Sequence, residues 1–219
     1  MAHDRQNHSS AHAPGQGRAP YIVVAGTIAA GKSTVAARLV SSIGVPAFLE
    51  EPERNPFLER FYANPRRWSF TSQMWFLLDT CAQHRRIVDG SAGGIQDHSP
   101  DEGVEVYSEV LREAGKLSSS ELELLRDALA SLRDGLPAPD VVVHLRARPE
   151  ELLERIRARG RNYERDIDLE YLRALDLARI KLFSTWNSCP VVIINTEVVD
   201  ARTDDGLRAI TEQIARHLS

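Results

Sequence analysis

The chain has 219 residues, of which 42% are hydrophobic and 26% charged, and a formal net charge of −4. Those values suit one α/β domain with a sizeable core and argue against a wholly disordered protein. They supply no basic field for nucleic acid or an anionic membrane, and no apolar run approaches the roughly 20 residues that span a bilayer.

Residues 1–19 are too polar to build a core and lack the hydrophobic stretch of a secretory signal, so they read as a disordered tail ahead of a single domain over 20–219. Tyr21 to Ala25 (YIVVA) is a short β-branched run, expected as a buried strand. It leads into GTIAAGKST and a helical pattern that Gly44 and Pro46 terminate. Ala47 to Glu50 reads as a second strand, ending at the acidic pair Glu50-Glu51 before Pro52. A short helix over Pro56 to Tyr62 and a long one over Arg67 to Val88 follow, with Trp75 and Leu78 expected in the core.

Gly93 to Gln96 is a weaker strand running into Asp97. Gly103 to Ala114 and Ser119 to Leu132 have amphipathic spacing, with Ser119 as the cap. Val141 to Leu145 is a strand, Pro149 to Arg159 a helix stopped by Gly160, and Leu169 to Trp186 another helix. Val191 to Asn195 and Asp204 to Leu218 complete the series. Five strands alternating with helices predict an α/β fold, a five-stranded parallel sheet with helices on both faces. Two cysteines, Cys81 and Cys189, have neither metal spacing nor a disulfide framework, and point to a reducing cytoplasm.

Gly26-Thr27-Ile28-Ala29-Ala30-Gly31-Lys32-Ser33 satisfies G-x-x-x-x-G-K-[ST] between a strand and a helix. In such a loop backbone N–H groups turn around phosphate oxygens, and the helix start adds its positive dipole end. Gly26, Thr27, Ala29, Ala30, Gly31, Lys32, Ser33 and Thr34 are therefore the expected ATP-binding set. Lys32 would reach the β- and γ-phosphates, and the Ser33 hydroxyl would serve Mg²⁺. No strand ends in the Asp-Glu of a motor ATPase, and no Asn-Lys-x-Asp reads guanine. A small-molecule or nucleotide kinase remains.

Several separated stretches between Tyr21 and about Asp200 resemble the deoxynucleoside kinases, and the segment Asn55 to Leu77 is most similar to the bacterial purine-type members. The resemblance implies a P-loop kinase fold and transfer of the γ-phosphoryl of ATP, with Mg²⁺, to a deoxynucleoside 5′-hydroxyl. It implies that a Glu at the Glu51-Pro52 position takes the hydroxyl proton. Glu51 is expected there rather than Glu50, because adjacent side chains alternate and Glu51 directly precedes the proline. Tyr62 matches the Tyr that holds the sugar 3′-hydroxyl, and Gln73 the Gln that pairs with the base edge. Residues 155–166 resemble the family's lid. Arg155, Arg159 and Arg161 would stabilise the transferring phosphoryl group, and Glu164 would join Tyr62 on the 3′-hydroxyl. Asp97 would serve the metal with Ser33. The resemblance also implies a homodimer.

The chain departs from that pattern at the acceptor. Asp97-His98-Ser99 stands where the family has an acid-Arg-Ser, and an imidazole cannot make the bidentate contacts of an Arg. Thr80 and Gly103 occupy the positions of a base-reading Arg and acid, and Pro56 that of an aromatic. An unusual base preference, or slow turnover, is the expectation. The rivals are a thymidylate-like nucleoside monophosphate kinase, which the acidic pair at Glu50-Glu51 disfavours by repelling a phosphate, and a degenerate nucleotide-binding partner subunit, which His98 favours. A polyol or antibiotic kinase stays open.

Overall fold

The computed structural model of the protein describes residues 19–218. Except for Ala19, the expected N-terminal tail lies outside them. Five strands, β1 (Tyr21–Gly26), β2 (Ala47–Phe48), β3 (Gly94–Asp97), β4 (Val141–Arg146) and β5 (Val191–Asn195), form one sheet in the order β2-β3-β1-β4-β5. Every neighbouring pair is parallel. Parallel strands need crossover connections, and these supply the helices that cover both faces.

β1 is buried along its whole length because it lies mid-sheet between two helix layers. Ile22 and Val24 pack on one face with Val35 and Leu39 of α1 (Lys32–Ile43), Leu152 of α7 (Pro149–Arg159) and Ile210 and Ile214 of α9 (Asp204–Ala215). Tyr21, Val23 and Ala25 pack on the other with Ile87 of α3 (Pro65–Asp89) and Phe183 of α8 (Leu169–Ser184). Burying each such aliphatic side chain stabilises the fold by about 1.5–3 kcal/mol. The expected parallel sheet is observed, and α1, α7 and β5 match closely.

Four local readings are corrected. β2 has two residues, not four, because its ladder with β3 ends at Phe48 opposite Gln96. Leu78 is 51% exposed rather than in the core. The buried side of α3 is largely polar, with Ser69, Ser72, Gln73, Thr80, Gln83 and His84, so apolar spacing does not mark it. The cap of α6 (Ser119–Arg133) is Ser118, in a capping box with Glu121, which makes Ser119 the first helical residue. Finally, the helix expected from Gly103 is a composite beginning at Pro100. It comprises α4 (Pro100–Glu102), a π-helical segment Gly103–Ser108 and α5 (Glu109–Glu113). Ser108 Oγ donates to the Gly103 carbonyl at 2.8 Å within the widened turn. α2 (Leu58–Ala63) follows a 3₁₀ turn, Pro52–Arg54.

Candidate active site

The carboxyl ends of β1, β2 and β3 converge on one cavity of about 160 Å³, where parallel α/β sheets place their ligands. The loop after β1 forms its floor. Gly31 has φ 97° at the N-cap of α1, and Ala29 has φ 64°, a left-handed conformation uncommon for a residue with a Cβ. Ala30 N–H closes a turn on the Thr27 carbonyl at 3.0 Å, and its side chain is buried. The first amides of α1 have no acceptor within the helix and remain for an anion. Thr34 is exposed on the first turn.

Lys32 and Ser33 line the cavity with Asp97 and His98 from the end of β3. Ser33 Oγ donates to Asp97 Oδ2 at 2.5 Å, while Asp97 Oδ1 is buried without a hydrogen bond. Burial raises the Asp97 pKa, although Lys32 and Ser33 pull against it. Burial also pulls the Lys32 ammonium down, but Tyr107, Asp97, Glu50 and Glu102 outweigh it and keep its pKa above the usual lysine value. No group of three His, Cys, Asp or Glu side chains among the described residues could hold a metal. One hydroxyl and one carboxylate with an unused buried oxygen suit a Mg²⁺ that takes its remaining ligands from phosphates and water.

Glu50, not Glu51, lines the cavity. β2 stops before the acidic pair, so strand alternation does not choose between them. Pro52 opens the 3₁₀ turn, and Glu51 precedes it with φ −115° and ψ 76°. Its side chain is 63% exposed and 3.8 Å from Arg54. Burial pushes the Glu50 carboxyl up to about 7, with Lys32 pulling it down and Asp97 and Glu102 pushing it up.

The far wall comes from α2, α3 and the π-helical segment. Phe61, Tyr62, Gln73, Phe76 and Tyr107 line it, with Tyr171 of α8. Burial raises the Tyr62 pKa, so its hydroxyl stays protonated. Gln73 Oε1 accepts weakly from Ser108 Oγ at 3.4 Å. Thr80 turns its hydroxyl back to the Phe76 carbonyl at 2.8 Å. His98 is buried at φ 78°, its ring 5.1 Å from that of Tyr107. Burial lowers its pKa to about 4, so it is neutral, and Nδ1 makes no hydrogen bond.

The segment from Arg159 to Glu164 closes the remaining side. α7 ends at Gly160 in the left-handed conformation, which redirects the chain into a 3₁₀ turn, Asn162–Glu164. Arg159 grips the buried Glu164 through Nη2 at 2.6 Å and Nε at 3.1 Å. Arg161 lies 3.4 Å from Glu53 and 3.7 Å from Glu164. Tyr163 donates to Glu53 at 2.7 Å, and its ring stands 5.7 Å from that of Tyr62. Arg155 does not reach the cavity. It sits one turn before Arg159, where Glu151 holds Nε at 2.8 Å and Thr196 after β5 accepts from Nη1 at 3.1 Å.

The structure thus gathers Lys32, Ser33, Asp97, Tyr62, Gln73, His98, Arg159, Arg161 and Glu164 as the sequence led one to expect, replaces Glu51 by Glu50 and leaves Arg155 outside. Sequence reasoning missed Phe76, Tyr107, Tyr163 and Tyr171. Only Tyr163 carried a signal, an aromatic inside the lid sequence.

A sequence model described as deoxynucleoside kinase matches residues 22–219. The deoxyadenosine/deoxycytidine kinase of Bacillus subtilis (strain 168) is 31% identical over 197 residues, covering 89% of this chain and 91% of the relative. The deoxyguanosine kinase of the same organism is 35% identical over 158 residues, covering 72% and 75%. Deoxyadenosine kinase from M. mycoides with bound dCTP shares the fold, with a TM-score of 0.77 at 23% identity over 90% of this chain and 99% of that one.

Proposed function

The chain belongs to the deoxynucleoside kinase family, and from that premise we propose how its cavity divides the work. The protein is a phosphotransferase that uses ATP to phosphorylate a deoxynucleoside. The loop Gly26 to Ser33 holds the ATP phosphates, with Lys32 against the β- and γ-phosphates. Ser33 and Asp97 would hold Mg²⁺, which supplies charge neutralisation at the phosphates. The acceptor lies with its sugar against Tyr62 and Glu164 and its base toward Gln73, between Phe76 and Tyr107.

Glu50 takes the proton of the 5′-hydroxyl as the new O5′–P bond forms. The bond from the γ-phosphorus to the bridging oxygen breaks, and ADP leaves with that electron pair. Arg159 and Arg161 neutralise the charge that spreads over the transferring oxygens. The observation that carries this reading is the meeting of Lys32, Asp97 and Glu50 in the cavity that Tyr62 and Gln73 also line. A carboxylate at that place repels an acceptor phosphate, which favours a nucleoside over a nucleoside monophosphate.

The base end offers neutral groups, since Thr80 is turned into its own helix and Gly103 has no side chain. This supports a base preference set by Gln73 and by shape. The family resemblance favours a homodimer, and we place the protein in the cytoplasm. That placement draws on two free cysteines, and no helix among the described residues is long and apolar enough to cross a membrane.

Comparing Glu50→Gln with Glu51→Gln tests the assignment. Glu50→Gln should lower kcat by about 10²–10⁴-fold with little change in nucleoside KM, and Glu51→Gln should stay near wild type. A loss carried by Glu51→Gln instead would overturn it.

A further inference from the structure

We infer that Arg179 is a positioning residue for the phosphate loop. The inference rests on the reading of Gly26 to Ser33 as the ATP loop. Arg179 rises from α8 and is wholly buried, at 0% exposure. Its Nε donates to Glu102 Oε1 at 2.7 Å, and its Nη1 to Thr27 Oγ1 at 2.6 Å and the Leu175 carbonyl at 3.4 Å. Glu102 Oε1 also accepts from the Gly26 amide at 3.3 Å, and Oε2 from the Ser99 amide at 3.4 Å. One guanidinium–carboxylate pair therefore ties the first two residues of the loop to the turn after β3 and to α8.

Charge gives this network a consequence for the nucleotide. Glu102 is also at 0% exposure and lies directly behind a loop that must take up several phosphate charges. An uncompensated carboxylate there would oppose the phosphates and carry a large desolvation penalty. His98 Nδ1 lies 3.9 Å away and makes no hydrogen bond to it. Arg179 does, and although burial raises the Glu102 pKa, the guanidinium, with His98 and Lys32 adding to it, brings it below the usual carboxylate value. The Tyr107 ring, 5.6 Å from the guanidinium carbon, adds a cation–π contact from the acceptor wall. A planar fork is needed to reach Glu102 and Thr27 together, which an ammonium cannot do.

The test is calorimetric titration with Mg·AMP-PNP, with nucleoside KM and melting temperature measured alongside. Arg179→Met should weaken the nucleotide at least tenfold with less than a threefold change in nucleoside KM. Arg179→Lys keeps the charge but loses the fork, so it should fold and bind the nucleotide three- to tenfold more weakly. The double variant Arg179→Met with Glu102→Gln removes the buried charge and should recover most of the affinity lost in Arg179→Met. Wild-type affinity in Arg179→Lys, no recovery in the double variant, or a loss confined to nucleoside KM would each overturn the inference. Wild-type protein that does not bind Mg·AMP-PNP would overturn the loop reading itself, and the inference with it.

Discussion

Burial and a neighbouring cation compete at Glu50, and the balance leaves its carboxyl near pH 7, where a general base works best. As the proposed base, Glu50 must be ionised to act, so kcat/KM should rise as pH passes through about 7, and Glu50→Gln should abolish that limb of the profile. The same shift has the opposite sign for stability. A carboxyl whose folded pKa lies above its unfolded value loses stability as pH rises between them, here from about 4.5 to about 7. At pH 8 Glu50→Gln should therefore melt above wild type while turning over far more slowly. A lower melting temperature would argue against a carboxylate that desolvation destabilises. Asp97 makes a parallel case, since one of its buried oxygens is unused. Chelation should stop turnover and Mg²⁺ restore it, and Asp97→Asn should raise the Mg²⁺ needed for half activity at least tenfold. Lys32, Ser33 and Asp97 were legible because motif and strand end fix them. Glu50 was not, because a proline turn rather than a strand directs the pair. Arg179 was hidden inside an ordinary amphipathic spacing, where nothing in the chain marks a buried guanidinium.

Local signals fixed most elements, and their failures have physical causes. The β-branched runs marked β1, β4 and β5, because a strand buried on both faces is apolar along its length. α3 misled at Leu78 because its buried side carries Gln73 and Thr80 toward the cavity and Gln96, where hydrogen bonding replaces apolar contact. The π-helical segment left no sequence mark, though it carries Tyr107 and Ser108 to the wall. Three serines, Ser118 to Ser120, open α6, and the capping box falls on Ser118, whose Oγ accepts from the Glu121 amide at 3.2 Å. Ser118→Ala should destabilise the protein by about 1 kcal/mol with activity unchanged, and Ser119→Ala by much less, as denaturant melts would show. Equal losses would return the cap to Ser119.

Across the whole molecule, the order β2-β3-β1-β4-β5 sets the loops after β1, β2 and β3 side by side. The phosphate loop, Glu50 and Asp97 thus meet at one edge of the sheet. The segment between α7 and α8 lies over that edge, and the long α3 carries the far wall of the cavity. The alternation of strands and helices made this architecture readable. Which side chains finally face the cavity depends on two turns and one π segment that alternation does not encode. The most direct measurement is a coupled ADP-release assay with Mg·ATP and a panel of deoxynucleosides, ribonucleosides and nucleoside monophosphates, with Lys32→Ala as control. The structure leads us to expect ADP release that requires both a deoxynucleoside and Lys32, and yields the 5′-monophosphate. ATP binding without deoxynucleoside-dependent ADP release, or turnover that requires a monophosphate acceptor, would contradict it.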